Sequence, residues 1–208
     1  MSVLPIYLYG TKVLLEIAKP VYDLDDATVR LVVDMFETMH NANGIGLAAT
    51  QVGVKKRVIV IDISDVDETK KEEDGSEPQA GVPSGKEPKP KTSPDLPRTL
   101  TLVNPEILEN EGGWKMEEGC LSIPEVKGEV ERPERVRIRY RASDFKEQEL
   151  TVDGLLARVI QHEIDHLNGV LFIDHASKAR RSLMSNALRK IKKGEVETSY
   201  PVVTSAEE

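Results

Sequence analysis

From Asp25 to Asn43 the apolar residues Val29, Val32, Phe36 and Met39 recur at three- and four-residue intervals, the spacing of one helix face. Asp23 or Asp25 can cap the start of this helix, and Asn43-Gly44 can stop it. RVIVID (57–62) has the composition of a strand, and TLTLVNPEIL (99–108) alternates at its start. RVRIRY (135–140) alternates strictly, placing Val136, Ile138 and Tyr140 on one side. Leu150 and Val152 continue this antiparallel pattern as far as a turn at Asp153-Gly154. The period then changes, with Leu155, Val159, His162 and His166 following at helical spacing on a mostly apolar, hence buried, helix. A second amphipathic helix is expected over Ser177–Lys193, with Met184, Leu188 and Ile191 inward and Gly194 at its end. Residues 195–208 read as a loose tail.

Residues 64–98 break the pattern. They hold six of the twelve prolines and no aromatic residue, too little apolar surface to offset the entropy of ordering them. A long mobile loop, inserted in a single domain spanning 1–194, is expected there. With 39% hydrophobic and 31% charged residues, 208 residues can build a core without disulfides. The net charge of −8 argues against a partner held by phosphate contacts, so no sequence-specific nucleic-acid binding is expected. MSVLPIYLYG lacks the basic start of a signal peptide, and no run of 18 apolar residues exists. These features predict a cytoplasmic protein with no membrane partner.

The candidate chemistry starts on the helix after Gly154. QHEIDHLNGVLFIDH (161–175) places His162 and His166 four residues apart, on one helix face, with Glu163 beside the first. Two imidazoles at this spacing can grip one metal ion, and a Glu in that position can move a proton of a water on the metal. In the metzincin pattern a third His stands six residues after the second, but Phe172 occupies that place and cannot bind a metal. The third ligand must lie elsewhere. The single cysteine, Cys120 in EEGCLSIPE (117–125), is one candidate and His175 is its rival. His40 is accounted for by its place near a helix end, where a cation favours the dipole. Soft Cys and borderline His ligands suit Zn²⁺ or another late first-row dication, and three ligands leave a position open for catalysis. GIGLAATQVG (44–53) matches the G-x-G-x-x-A nucleotide fingerprint by letter only, because a helix precedes it and a strand follows. Its glycines instead allow close backbone approach to a ligand, with Gln51 offering an amide donor.

GIGLAATQVG, EGCLSI and QHEIDH, in that order, resemble the three signature motifs of the peptide deformylases. The similarity runs from Pro5 to about Lys193, outside the 64–98 segment, and the C-terminal helix resembles the Gram-negative type 1 subclass. The resemblance implies an α+β fold with antiparallel β-sheets packed around a central metal-binding α-helix. It implies removal of the N-formyl group from the initiating methionine of new polypeptides, with release of formate. Cys120, His162 and His166 would hold one divalent metal, natively Fe²⁺, with Zn²⁺, Ni²⁺ or Co²⁺ able to replace it. A water on the metal would attack the formyl carbon, with Glu163 taking its proton and passing it to the leaving amine. Gln51 and the Leu121 N–H would meet the oxyanion. The peptide would lie extended beside Gly46 and Gly119, its methionine in a pocket of Ile45, Met116, Leu155 and Val159. Nascent chains and an association with the ribosome follow as expected partners. Two residues depart from the family pattern: Lys127 stands where many members have Arg, and Arg158 where the pocket is often apolar. The long Arg158 stem could line the pocket while its charge reaches water. Cleavage of internal peptide bonds, or peptide binding around a structural metal, are the alternatives.

Overall fold

The alternating segments pair into one antiparallel sheet wrapped around the helix that carries both histidines. The computed structural model describes residues 2–66 and 91–207. The elements in chain order are β1 (Ile6–Tyr7), α1 (Asp26–Asn41), β2 (Gly46–Ala48), β3 (Val58–Asp62), β4 (Thr99–Glu111) and β5 (Trp114–Cys120). They are followed by β6 (Ile123–Arg132), β7 (Arg135–Arg141), β8 (Glu147–Asp153), α2 (Gly154–Leu167), α3 (Lys178–Lys192) and β9 (Val202–Val203). Strands β2-β3-β4-β7-β8 form the antiparallel sheet in that order, β5 and β6 form a separate hairpin, and β1 pairs in parallel with β9. The fold is α+β, as the resemblance implies.

Helix α2 is the centre of the packing. Leu156, Ala157, Ile160, Ile164 and Leu167 pack against Ile59, Ile61, Leu102, Val136, Ile138 and Val152 of the sheet. Burying each large aliphatic side chain contributes about 1.5–3 kcal/mol, so this contact fixes the helix that carries the histidines. A second cluster joins α3, through Leu188 and Ile191, to Ile123, Val126 and Val130 of the hairpin. A third seats Met35 and Met39 of α1 on Val58 and Val60 of β3. Among the described residues no helix is long and apolar enough to cross a membrane.

Several expectations change. Asp25 is the cap of α1, its carboxylate accepting from the Thr28 N–H at 2.7 Å. The buried face is rotated from the expected one: Thr28, Met35, Thr38 and Met39 are inward, whereas Val29 is 51% exposed. Two buried threonines explain the shift, since Thr38 donates to the Asp34 carbonyl at 2.6 Å and needs no apolar neighbour to be satisfied. Asp153-Gly154 ends the strand as expected, and it does so as a direct strand-to-helix junction. Gly154 has φ +57°, and a Cβ there would lie 2.3 Å from the Thr92 nitrogen. Thr92 is buried and its hydroxyl accepts from the Leu156 N–H at 3.1 Å, while the Ser93 N–H donates to Asp153 at 2.8 Å. The C-terminal end of the expected 64–98 loop therefore belongs to the fold, packed over the start of α2. Residues 67–90, on which most of that expectation falls, lie outside the described range. Residues after α3 are also not loose: Ile6 N–H donates to Pro201 O and Leu8 N–H to Val203 O, both at 2.9 Å.

Candidate metal centre

Three elements deliver the donor atoms. On β5, Trp114, Met116, Glu118 and Cys120 share the inward phase of the strand. On α2, Arg158, His162, Asp165 and His166 share one side. The short turn Ala49–Val52 after β2 carries Gln51. Cys120 Sγ and one ring nitrogen each of His162 and His166 lie within 4.8 Å of one another, with Cys120 Sγ 3.2 Å from His166 Nε2. His175, the rival third ligand, is held away by a 2.8 Å contact to Asp165 Oδ2. Phe172 packs its ring against His162 at 6.2 Å between centroids, so the place of a metzincin histidine is filled by an apolar wall. His40 lies in the last turn of α1 and meets Asp62 at 3.0 Å.

The donor set suits a dication. Glu118 Oε2 sits 3.0 Å from His162 Nδ1, which orients the ring and leaves Nε2 for the cluster. Burial pushes His166 well below its ordinary value, helped by the nearby charges of His162 and Arg132, so its ring is neutral and can donate a lone pair. For His162 burial acts in the same direction, but Cys120 and Glu118 outweigh it and raise the value. The anionic surroundings that hold a proton there are equally suited to a cation. Thiolate and imidazole together fit Zn²⁺, Fe²⁺ or a similar late first-row ion.

Behind the donors lies a buried polar network that sequence reasoning missed. Arg132 donates to Glu118 through Nε at 2.7 Å and Nη2 at 3.0 Å, and to Asp165 through Nη1 at 2.8 Å. Arg158 also donates to Glu118, as well as to the Trp114 carbonyl at 2.7 Å and the Val130 carbonyl at 3.3 Å. Its guanidinium lies 4.6 Å from the centre of the Trp114 ring. The expectation that the Arg158 charge reaches water is therefore overturned: the residue is 3% exposed and burial lowers its pKa. Arg132 stands in the inward phase of Val126, Gly128 and Val130 on β6, a place where a charge in the sequence alone reads as a break in the pattern.

Glu163 is 4% exposed, and its Oε2 has no hydrogen-bond partner among the described residues. Burial raises its pKa to about 7, although His162 and Arg132 act to lower it. Gly46 gives it room, since a Cβ there would come within 2.5 Å of Glu163 Oε1. Gln51 Oε1 accepts from the Ala48 N–H at 2.8 Å, which turns its Nε2 towards Ser122 Oγ at 3.3 Å and Cys120 Sγ at 3.6 Å. A cavity of about 750 Å³ opens over these groups. Its walls include Ile45, Gly46, Gln51, Met116, Gly119, Leu121, Leu155 and Val159, together with Cys120, His162 and Glu163. His166 lies behind this lining, 1% exposed. Lys127 is on the rim, 3.5 Å from Glu117 and largely in solvent.

An open cavity, three metal-capable donors and a buried carboxyl are together able to activate a water for hydrolysis. Residues 3–182 match the polypeptide deformylase family. The chain belongs to that family. The peptide deformylase of Salinibacter ruber is 47% identical over 207 residues, covering 99% of this chain and 97% of its own. That of Chlorobium phaeovibrioides is 42% identical, with 96% and 92% covered. Among solved structures, a peptide deformylase from Legionella pneumophila superposes with a TM-score of 0.73 at 36% identity, covering 93% of this chain and 98% of its own. The Synechococcus elongatus peptide deformylase in complex with actinonin gives 0.71 at 39% identity, with 96% and 92% covered. Deformylation of formylated nascent peptides, with a metal, is the activity of this family.

Proposed function

We propose that Cys120, His162 and His166 hold the metal of a deformylase acting on formyl-methionyl chains, and that Glu163 is its acid–base group. The observation that carries this reading is the cluster of three donor atoms within 4.8 Å, beside a buried Glu163 oxygen with no partner. When bound, the metal supplies Lewis acidity, acidifying a water and polarising the formyl oxygen. Glu163 takes the proton of the attacking water and returns it to the methionine nitrogen as the C–N bond breaks, yielding formate and a free amine. A pKa near 7 suits both halves of that transfer. Gln51 Nε2 and the Leu121 N–H donate to the oxyanion, each contributing about 3–4 kcal/mol to the transition state. The substrate backbone lies beside Gly46 and Gly119, where no side chain intrudes, and the methionine occupies the space between Ile45, Met116, Leu155 and Val159.

The native metal in this reading is Fe²⁺, with Zn²⁺, Ni²⁺ or Co²⁺ as substitutes, and a thiolate beside iron makes activity sensitive to oxidation. The enzyme works in the cytoplasm on chains at the ribosome, as one domain that extends past residue 194 to take in β9. Release of formate from formyl-Met-Ala-Ser tests the activity; intact metal without formate would sink it. Replacing Glu163 by Ala leaves about one metal per chain by elemental analysis while turnover falls at least about 10²-fold. Unchanged turnover would remove Glu163 from its role.

A further inference from the structure

The residues after α3 reach the mouth of the cavity. Glu197, Thr198, Ser199 and Tyr200 line it together with Gly44 and Ile45, although all four lie beyond residue 182, where the family match ends. They are held there by more than proximity. Just beyond them β9 pairs with β1, Val202 packs on the cluster around α3, and the Ser205 hydroxyl donates to the Lys192 carbonyl at 2.5 Å. Thr198 Oγ1 donates to the Tyr200 carbonyl at 2.8 Å and shapes the turn that faces the cavity.

Tyr200 makes the contact with the reacting end of the site. Its phenol donates to the Leu121 carbonyl at 2.8 Å. Burial, and then the nearby Cys120, push its pKa up to about 12, so it remains a donor at any working pH. The Leu121–Ser122 turn is thereby held from three sides. The Tyr9 N–H donates to Ser122 O at 2.8 Å, Gln51 Nε2 reaches Ser122 Oγ at 3.3 Å, and Tyr200 takes the Leu121 carbonyl. The phenol fixes the Leu121–Ser122 peptide plane, and so narrows the freedom of the adjoining Cys120–Leu121 plane that carries the Leu121 N–H.

We propose that the segment Glu197–Tyr200 is a wall of the substrate groove, contacting peptide residues after the formyl-methionine, and that Tyr200 is a positioning residue for Leu121. This inference rests on the deformylase reading. The substrate it recognises is an extended peptide of at least three residues, whose backbone leaves the methionine pocket along this wall. A formylated single amino acid ends before reaching it.

The metal-loaded enzyme tests both parts. With formyl-Met-Ala-Ser, Tyr200→Phe lowers kcat about tenfold, the loss of one orienting hydrogen bond, while KM shifts less than about twofold and metal content holds. An unchanged kcat, or a loss tracking lost metal, overturns the positioning role. Ser199→Trp places bulk on an exposed position and leaves the fold intact. It lowers kcat/KM for formyl-Met-Ala-Ser at least about fivefold more than for formyl-methionine. Equal losses on the two substrates overturn the wall. Independently of turnover, saturation with the product peptide Met-Ala-Ser slows hydrogen exchange at residues 197–203, and unchanged exchange overturns the wall as well. Absence of formate from the unsubstituted protein is a separate result: it sinks the deformylase reading, whereas normal release with unresponsive variants sinks this inference alone.

Discussion

Glu163 shows how one side chain is tuned by what its neighbours lack. Gly46 supplies no Cβ, so β2 approaches α2 closely beside Glu163 Oε1, while Oε2 is buried with no hydrogen-bond partner among the described residues. Exclusion of water raises the pKa to about 7. Gly46 has no left-handed backbone, so an alanine there tests space alone. Gly46→Ala brings a methyl within 2.5 Å of Glu163 Oε1 and 2.8 Å of Val159 Cγ1 in the unrelaxed backbone. The carboxylate must move, and displacement of a reacting group by about 1 Å costs about 10² in rate. The expected result is a kcat/KM about 10²-fold lower with one metal per chain retained, measured by formate release and elemental analysis. A variant within twofold of the original would show that the carboxylate has slack.

At the scale of elements, the strand-to-helix junction is as constrained as the donors it carries. Gly154→Ala forces a left-handed backbone on an L-residue, costing about 1–2 kcal/mol, before the overlap with Lys91 and Thr92 is counted. Urea unfolding should show at least that loss, and none would mean that the segment at 91–93 moves freely away from α2. The elements most legible in the sequence are those whose periodicity is uninterrupted, such as β3, β7 and α2. The β5–β6 hairpin was not legible because charged residues stand in its inward phase. Glu118 shares that phase with Met116 and Cys120, and Arg132 shares it with Val126 and Val130. Gly128 breaks it again, because a Cβ there would meet Met184 at 2.7 Å and Phe172 at 3.2 Å. Inward charges pair only with each other and with α2, a relation that local spacing cannot reveal. The tail was hidden for a similar reason: a two-residue parallel strand has no period, and its partner lies at the other end of the chain.

Across the whole molecule, the same inward charges join parts that the three hydrophobic clusters leave separate. Glu118 and Arg132 come from the hairpin, Arg158, His162 and Asp165 from α2, and His175 from the approach to α3. Burial opposes the charge of Glu118, but the His162 and Arg132 hydrogen bonds outweigh it and hold its carboxyl well below the ordinary 4.5. Asp165 is lowered from 3.8 against the same opposition, by His175 and Arg132. Folded values below unfolded ones mean that the unfolded chain binds more protons in acid. The stabilisation is therefore complete above the unfolded values and is lost as pH falls below 4.5 towards the folded ones. Each such proton adds about 1.4 kcal/mol per pH unit to the slope. Metal-free protein, unfolded in urea between about pH 6 and pH 3, removes metal release from the measurement. Glu118→Gln leaves Arg132, Arg158 and His162 with a neutral partner, so stability at pH 6 falls by about 3 kcal/mol. Below pH 4.5 its slope is flatter than that of the unsubstituted protein by up to one proton, and the two curves converge in acid. Parallel curves would mean that the carboxylate of Glu118 is not what binds the hairpin to α2.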